Sequence, residues 1–450
     1  MNFVRDTNHE KMRTRVYQFI LPVLTMLFHL SGYSQDSLSL SNALQIGLEN
    51  NFQVQIYEQE YEISKLNNSW GTVGRFPSVS LGATNINRYD DSPNQINPDQ
   101  RLKYTTNAIS PFVNLNWLLF SGFGVKMNKD RLELLENLSE GYSSLVVENT
   151  MQAIILGYYK VLLEQEKLEI LRKVKELSGD RFRYEEARKA LGSSVTFDVL
   201  QAKNSFYSDS TNYLLQELNV KNAQLNLNLL LGEPPEVKFF LTDSFRVKRP
   251  VYNYDTLYNS MMASNKNLQN QYINQEILKK EIGIQKSNLY PTISMNAGAD
   301  YGETRLNYEN LDPINTNSFD YYANFTLSFN LFNGGNTRRA IKSAQISEQI
   351  GQLETSELEQ TLGNYLLNQY DLYFIRKQLY DVAEVNLESA ELNLEISTER
   401  YRSGTINSFN FRDVQLIYLN AAFNRLEAIY NLIDTRVELL RLTGGIITER

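Results

Sequence analysis

The chain has 450 residues, a formal net charge of −8, no cysteine and two histidines. The absence of cysteine excludes disulfides, thiol chemistry and a cysteine-linked lipid anchor, and the scarcity of histidine excludes the usual zinc sites and histidine-based catalytic triads. The acidic balance argues against nucleic acid as a partner.

The first 34 residues have the pattern of a secretory signal peptide. Arg13 and Arg15 precede the apolar run VYQFILPVLTMLFHL, and small and polar residues follow it. We therefore predict cleavage after Ser34, since the apolar run is short for an uncleaved membrane anchor. Cleavage removes both histidines, His9 and His29, together with four basic and two acidic residues, which brings the net charge to −10.

Two copies of one unit make up the rest of the chain. The copies span 35–232 and 256–450, and a connection at 233–255 joins them. Motifs recur at an offset of 212 residues, in the pairs LLFSGFG and NLFNGGN, RKALGSSVTFD and RYRSGTINSFN, and LLLGE and RLTGG. A fixed offset of this kind indicates an internal repeat of one supersecondary unit.

Each unit begins with a helical segment and continues with a predicted β-hairpin, at 77–120 and at 291–332. In PTISMNAGADYG, apolar residues alternate with small polar ones, which is typical of strands with one apolar and one wet face.

After the signal peptide no apolar run is long enough for a membrane helix, so only a closed β-barrel would span a bilayer. A soluble hairpin packed on a core is the alternative. Four strands are too few for closure, so the barrel would be shared by two or three chains.

A long helical hairpin follows each β-hairpin, at 122–231 and at 334–443. No proline occurs from Phe112 to Glu233 or from Ile314 to Arg450. Two sets of apolar residues, each with a spacing of seven, favour a helix that packs on both sides within a ring; a buried helix in a thick bundle is the alternative. The first set is Val147, Ile154, Val161 and Leu168, and the second is Leu156, Leu163, Ile170 and Leu177.

Gly192 and Gly404 lie where each long helix must reverse its direction. Glycine adopts the left-handed conformation of a helix end without strain, and the Ser, Thr, Asp and Asn residues that follow suit the start of the returning helix. The repeated stretch RKALGSSVTFD/RYRSGTINSFN therefore predicts the far ends of the two helical hairpins. Turn chemistry alone would also account for these residues.

Taken together, these features resemble the TolC-type family of outer-membrane efflux ducts. The resemblance rests on the order of strand, LFxGG and long helix, on the FPSVS/YPTIS pair, and on the Gly followed by Asp-Val-Leu at the turn. It covers nearly the whole mature chain. It implies an outer-membrane β-barrel plus a long α-helical barrel: a homotrimer with four strands per chain, a twelve-strand barrel and a periplasmic tunnel.

The function that the resemblance implies is the outer-membrane channel of a tripartite efflux or type I secretion system. Its partners would be a periplasmic adaptor protein, an inner-membrane pump reached through the adaptor, and outer-membrane lipid. Such a duct is passive and needs no cofactor or metal. Proton-driven and ATP-driven pumps both fit the resemblance.

The resemblance also assigns site residues. Asp198 and Tyr401 would form a hydrogen-bonded gate latch, although Ile406 replaces an arginine that assists this latch in well-studied members. Asn410 and Asp413 would surround the lumen constriction, where three copies of Asp413 would bind cations and repel anions. The adaptor-docking tip would comprise Ala190, Leu191, Gly192, Ser193, Arg402, Ser403, Gly404 and Thr405.

Two other functions are alternatives to a duct. An enzyme is not expected, because no Walker loop or dinucleotide fingerprint is present and no carboxylate pair stands out from a solvated helix face. A structural coiled-coil stalk or surface adhesin without a transport role would explain the long helices. It would not explain two alternating hairpins at the same point of each repeat.

Overall fold

The computed structural model describes residues 36–94, 99, 101–309 and 311–446, so the predicted signal peptide at 1–34 lies outside the described residues. Short helices precede each pair of long strands, and long helices follow them. In chain order the elements are β1 Asp36–Leu38, α1 Leu40–Asn50, α2 Phe52–Asn67, β2 Ser78–Pro93, β3 Arg101–Ser121, α3 Gly124–Ala190, α4 Thr196–Leu231, β4 Phe239–Leu241, α5 Tyr254–Ser264, α6 Lys266–Ser287, β5 Thr292–Tyr308, β6 Ile314–Ser328, α7 Asn336–Arg402 and α8 Ser408–Leu442.

The helices α3 and α7 have 67 residues each, and α4 and α8 have 36 and 35. At about 1.5 Å per residue, α3 and α7 are each about 100 Å long. Of the predicted apolar positions in α3, Ile154, Val161 and Leu163 are buried, whereas Leu156 and Ile170 are only partly buried. Ile154 and Val161 belong to the first predicted apolar set, and Leu163 belongs to the second. The first set is thus covered more completely within a single chain.

Long strands form one antiparallel four-stranded sheet in the order β2-β3-β5-β6. The pairing of β3 with β5 joins the two hairpins, and it places Leu115 opposite Ala297. On one face of the sheet the side-chain amide of Asn296 donates to Asn114 and Asn116, at 2.9 and 2.7 Å. Apolar side chains on the opposite face remain exposed, among them Val79, Leu81, Phe325 and Leu327. The predicted division into a polar and an apolar face is therefore present.

The described chain divides into two compact units, and each unit draws residues from both predicted repeats because α3 and α7 contribute to both. One unit comprises the described residues up to Ile46 with Ile154–Arg246 and Leu387–Glu427; it contains the helix turns. The other contains the sheet and an apolar core around Leu366 and Leu432. No helix among the described residues is both long and apolar enough to cross a membrane.

The connection at 233–255 contributes a strand to the first unit. There β4 pairs in parallel with β1, with Ser37 opposite Phe240. The hydroxyl of Tyr158 lies 2.8 Å from both the Leu38 carbonyl and a carboxylate oxygen of Asp243. These contacts attach the start of the described chain and the connection to α3.

Candidate functional site at the helix turns

The two turns that end α3 and α7 have the same backbone geometry. Gly192 has a φ of 74° and Gly404 a φ of 73°, both in the left-handed region that favours glycine. After α3, the amide of Ser193 donates to the Arg188 carbonyl at 2.8 Å. After α7, the amide of Thr405 donates to the equivalent carbonyl at the same distance. These bonds satisfy carbonyls that a helix end would otherwise leave unpaired.

All eight residues that were predicted to form a docking tip are exposed, and we refer to them as the tip residues. Leu191 is 83% exposed, and the neighbouring Val195 and Phe197 are 61% and 70% exposed. The two turns are also connected, because the hydroxyl of Tyr184 on α3 donates to the Arg402 carbonyl at 3.3 Å. Exposed apolar side chains grouped in this way are typical of an interaction surface.

Directly behind the tip residues, Tyr401 is buried among aromatic rings. Its ring stacks on Phe411 with centroids 4.7 Å apart, and it meets Tyr184 edge to face at 5.2 Å. Its hydroxyl donates to Glu185 Oε1 at 2.6 Å. Burial, followed by the hydrogen bond to Glu185, raises the pKa of Tyr401 above its ordinary value. The hydroxyl therefore stays protonated and remains a donor at physiological pH.

Glu185 is the acceptor for several groups at the end of α3. Its side chain is 1% exposed, and it also accepts from the Ser194 hydroxyl at 2.6 Å and from Arg188 at 3.5 Å. A buried carboxylate is stabilised when hydrogen bonds and opposite charge replace its hydration. Glu185 thus connects α3, the turn after it and Tyr401 on α7.

The predicted hydrogen bond between Asp198 and Tyr401 stays a prediction, because within one chain the hydroxyl of Tyr401 donates to a different carboxylate. The single hydroxyl proton of Tyr401 is donated to Glu185. Asp198 lies in the first turn of α4 and is partly exposed, and its backbone amide donates to Val195 at 3.1 Å. A carboxylate in a first helical turn is favourably placed near the positive end of the helix dipole.

Further along the same helices lies a second buried polar contact. Arg412 on α8 donates two hydrogen bonds to Asp209 on α4, at 2.6 and 2.8 Å. Asp209 is 1% exposed and Arg412 is 15% exposed. A bidentate pair that is shielded from water is stronger and more directional than a surface ion pair.

Arg181 on α3 is buried near this pair. Nη1 of Arg181 donates to the Ser408 carbonyl at 3.3 Å, whereas its Nε and Nη2 atoms have no hydrogen-bond partner. Burial, and then the nearby charge of Arg412, lowers the pKa of Arg181 to about 10. The interior behind the turns therefore contains buried polar atoms without hydrogen-bond partners, each of which costs free energy.

Asn410 and Asp413 lie in the first turns of α8, and both are exposed in the single chain. The backbone amide of Asn410 donates to the Asn407 side chain at 2.8 Å, which caps the start of the helix. Their spacing of three places them on one side of α8. Among the described residues, no group of three or more His, Cys, Asp or Glu side chains is arranged to hold a metal ion.

Sequence reasoning missed Glu185, Arg181, Asp209 and Arg412. A signal was available on α3, where Leu171, Val174, Ser178, Arg181 and Glu185 are all buried and are spaced alternately by three and four residues. That spacing is typical of the core stripe of a coiled coil. The apolar residues alone do not reveal this stripe, because polar residues occupy its core positions near the end of α3.

Comparisons with known proteins confirm the resemblance that the repeated motifs indicate. The model of the outer membrane efflux protein family matches residues 43–233 and 257–445. Over 277 residues the chain is 24% identical to the outer membrane protein TolC of Vibrio cholerae serotype O1, and the match spans 60% of each protein. Part of that relative therefore lies outside the match.

Solved structures show the same fold. The chain resembles the Campylobacter jejuni CmeC outer membrane channel with a TM-score of 0.76 and 15% identity, over 90% of this chain and 85% of that one. It resembles the outer-membrane channel OprN with a TM-score of 0.74 and 14% identity, over 90% of each chain. Since the family model accounts for most of the sequence, this chain belongs to the outer membrane efflux protein family.

Proposed function

We propose that the protein is the outer-membrane channel of a tripartite efflux or secretion system. In this role it is a passive duct that extends from the outer membrane into the periplasm. The observation that carries the proposal is the pairing of two exposed helix turns with a buried, bonded network directly behind them. A docking surface backed by breakable polar bonds is suited to opening when a partner binds. A stalk or adhesin has no need of such a network.

The sheet supports assembly with further copies of the chain. β2 and β6 are the edges of the four-stranded sheet, with 16 and 15 residues. Long edge strands present unpaired backbone groups that pair readily with another strand. In our proposal β6 of one copy pairs with β2 of the next, and three copies close a barrel of twelve strands. The exposed apolar face would then contact lipid and the asparagine-rich face would line the lumen.

The tip residues would dock a periplasmic adaptor protein, which links the channel to an inner-membrane pump. Leu191, Val195 and Phe197 supply exposed apolar area, and Ser193 and Thr405 supply hydroxyls at the two turns. Apolar anchors surrounded by polar groups are the usual composition of a protein interface. The energy for transport would come from the pump, so the channel itself needs no cofactor.

The gate in this proposal is the network behind the tip residues. Tyr401 and Glu185 would form the latch in place of the expected Tyr401 and Asp198, since the hydroxyl of Tyr401 already donates to Glu185 at 2.6 Å. The ring of Asp413 side chains from three copies would give the narrow part of the lumen a preference for cations. Asn410 would contribute polar but uncharged groups beside it.

Photo-crosslinking in intact cells tests the docking proposal. A photoreactive residue at Ser193 or Thr405 should capture a periplasmic adaptor, which mass spectrometry would identify. The same residue at Lys221, which is exposed on α4 outside the turns, serves as the matched control. Capture from all three positions, or from none of them in a protein that reaches the outer membrane, would contradict the proposal and favour a stalk.

A further inference from the structure

All four connections between the long strands and the helices lie at the same end of the sheet, where the strands begin or finish. The register places Ser78 opposite Asn116, and Thr292 opposite both Ser121 and Ser328. The start of β2, the end of β3, the start of β5 and the end of β6 therefore meet there. We call this region the basic edge and define it by the segments 64–77, 122–129, 282–291 and 329–347.

The basic edge is named for its charge. Its four segments contain eight Lys and Arg residues and no Asp or Glu. The opposite ends of the strands differ, since residues 88–103 contain three basic and three acidic residues, and residues 300–312 contain one basic and four acidic. The positive charge is thus confined to the edge where strands give way to helices. The eight residues are Lys65, Arg75, Lys126, Lys129, Lys286, Arg338, Arg339 and Lys342.

Five exposed cations of the basic edge have no carboxylate partner among the described residues. They are Arg75, Lys126, Lys286, Arg338 and Lys342, and the guanidinium of Arg75 lies over the Trp70 ring at 4.3 Å. Since Arg338 and Lys342 are four residues apart on α7, they lie on the same side of that helix.

Three other cations of the basic edge already have internal partners, and the first of them, Lys65, contacts Glu62 Oε1 at 3.2 Å. Nζ of Lys129 lies 2.5 Å from Asn68 Oδ1, and Arg339 donates to the Gly334 carbonyl at 2.9 Å. The free charge of the edge therefore resides mainly in Lys126, Lys286, Arg338 and Lys342.

Just beyond the basic edge, carboxylates return and every cation beside them is paired. Arg131 on α3 contacts Glu281 on α6 at 3.0 Å, and Lys280 on α6 contacts Asp130 on α3 at 3.0 Å. Where α3 and α6 carry acidic residues, those residues thus form ion pairs with basic residues across the helix interface. Free positive charge at the basic edge is therefore a local feature of the surface and does not reflect a general shortage of partners.

Large apolar side chains lie among the free cations. Phe76, Phe123 and Tyr290 are 61%, 60% and 51% exposed, and Leu331 and Phe332 are each 86% exposed. Phe123 and Tyr290 also contact each other, with ring centroids 6.2 Å apart. Aromatic side chains next to cations are typical of the level at which a membrane meets water. Exposed apolar residues of the adjoining strands continue this surface along the sheet.

We propose that the basic edge binds the phosphate groups of anionic phospholipids in the leaflet of the outer membrane that faces the periplasm. Arg338 and Lys342 would contact headgroup phosphates, while Leu331 and Phe332 would insert among the acyl chains. Cations near an anionic membrane surface are attracted to it individually, and their effects accumulate. The inference rests on the outer-membrane location in the proposed function. It concerns a different surface from the tip residues.

The test is lipid binding to the delipidated, full-length channel in detergent, counted by native mass spectrometry. Phosphatidylglycerol should bind more tightly than phosphatidylcholine. Each cation at an anionic surface is worth about a fivefold change in affinity, so Arg338→Gln with Lys342→Gln should weaken phosphatidylglycerol binding about 25-fold. Phosphatidylcholine binding should stay the same. The charge-conserving pair Arg338→Lys and Lys342→Arg should retain binding, which separates lost charge from lost folding.

Lys221→Gln with Lys238→Gln is the matched control, because both lysines are exposed and lie outside the basic edge. Unchanged phosphatidylglycerol affinity in the Arg338/Lys342 pair, or an equal loss in the control pair, would overturn the inference. Displacement of the lipid by an equal concentration of inorganic phosphate would also overturn it, by indicating a site for free anions. Crosslinking from Ser193 in the same variants tests adaptor docking separately. Either proposal can therefore fail while the other holds.

Discussion

The hydroxyl of Tyr401 donates to the buried carboxylate of Glu185 at 2.6 Å, and this bond joins the end of α7 to the end of α3. The two residues are 216 positions apart in the chain. Both lie immediately behind exposed turns, so separation of the two helix ends must break the bond. Docking at the tip residues would therefore break this bond if it moved the two helix ends apart.

Replacement of Tyr401 by Phe should increase leak conductance in a planar lipid bilayer. The change removes the donor and leaves the ring stack on Phe411 in place. A hydrogen bond to a charged group is worth about 1.5–3 kcal/mol, which corresponds to a shift of at least about tenfold toward the open state. Asp198→Asn is the matched control and should leave conductance unchanged. An equal increase in leak conductance in Asp198→Asn would indicate that Asp198 is part of the latch.

Replacement of Arg412 by Met or of Asp209 by Leu should strongly destabilise the helical part of the protein. Each change leaves one buried charge without its partner, at about 3–5 kcal/mol. The double variant should lose less than the sum of the two, because neither member of the pair is then left buried without the other. Urea unfolding followed by circular dichroism measures all three.

The ion pair between Arg172 and Glu169 is exposed and serves as the control for this cycle. Removal of Arg172 should leave the unfolding midpoint unchanged, since exposed pairs contribute little. Additive losses at Arg412 and Asp209 would show that the two side chains act independently.

Replacement of Glu148 by Gln should stabilise the protein at neutral pH by about 1–3 kcal/mol. Glu148 is 2% exposed, and its Oε1 atom has no hydrogen-bond partner. Burial raises its pKa above the ordinary 4.5, although Lys266 and Arg441 oppose the shift. The folded protein therefore binds this proton more tightly than the unfolded chain does, and stability falls as the pH rises from 4.5 through the folded pKa.

The gain from Glu148→Gln should accordingly disappear below pH 4.5, which thermal unfolding at several pH values would reveal. Glu438 is the control of opposite sign. Burial alone would raise its pKa, but hydrogen bonds and charge from Arg441 outweigh burial and lower it. Glu438 contributes stability above pH 4.5 that is lost as the pH falls through its folded pKa. A loss of stability in Glu148→Gln at pH 7 would contradict this account.

Replacement of Gly192 or Gly404 by Ala should cost about 1–2 kcal/mol each, because both glycines have left-handed backbones. An added Cβ meets no atom within 4 Å at either position, so the cost comes from the backbone alone. Asn tolerates this conformation better, and Gly192→Asn should therefore be less destabilising than Gly192→Ala. Equal losses for Ala and Asn in urea unfolding would point to a steric cause instead.

Local patterns in the sequence predicted much of the fold. Strand alternation predicted hairpins at 77–120 and 291–332, and β2 to β3 and β5 to β6 occupy residues 78–121 and 292–328. The absence of proline predicted helices of unusual length, and Gly192 and Gly404 predicted their ends. These features depend on residues that are close in the chain. They are therefore readable without knowledge of the rest of the molecule.

The side-chain partners at the candidate site were decided by the tertiary structure. The rotation of α3 about its axis determines that Glu185 faces Tyr401. Arg412 and Asp209 are 203 residues apart, and nothing in either local sequence specifies their pairing. Helix length and turn position follow from backbone preferences, whereas a contact between helices depends on how their surfaces pack. The sequence by itself thus determined the elements and their order, and only the packed structure decided which polar groups meet behind the turns.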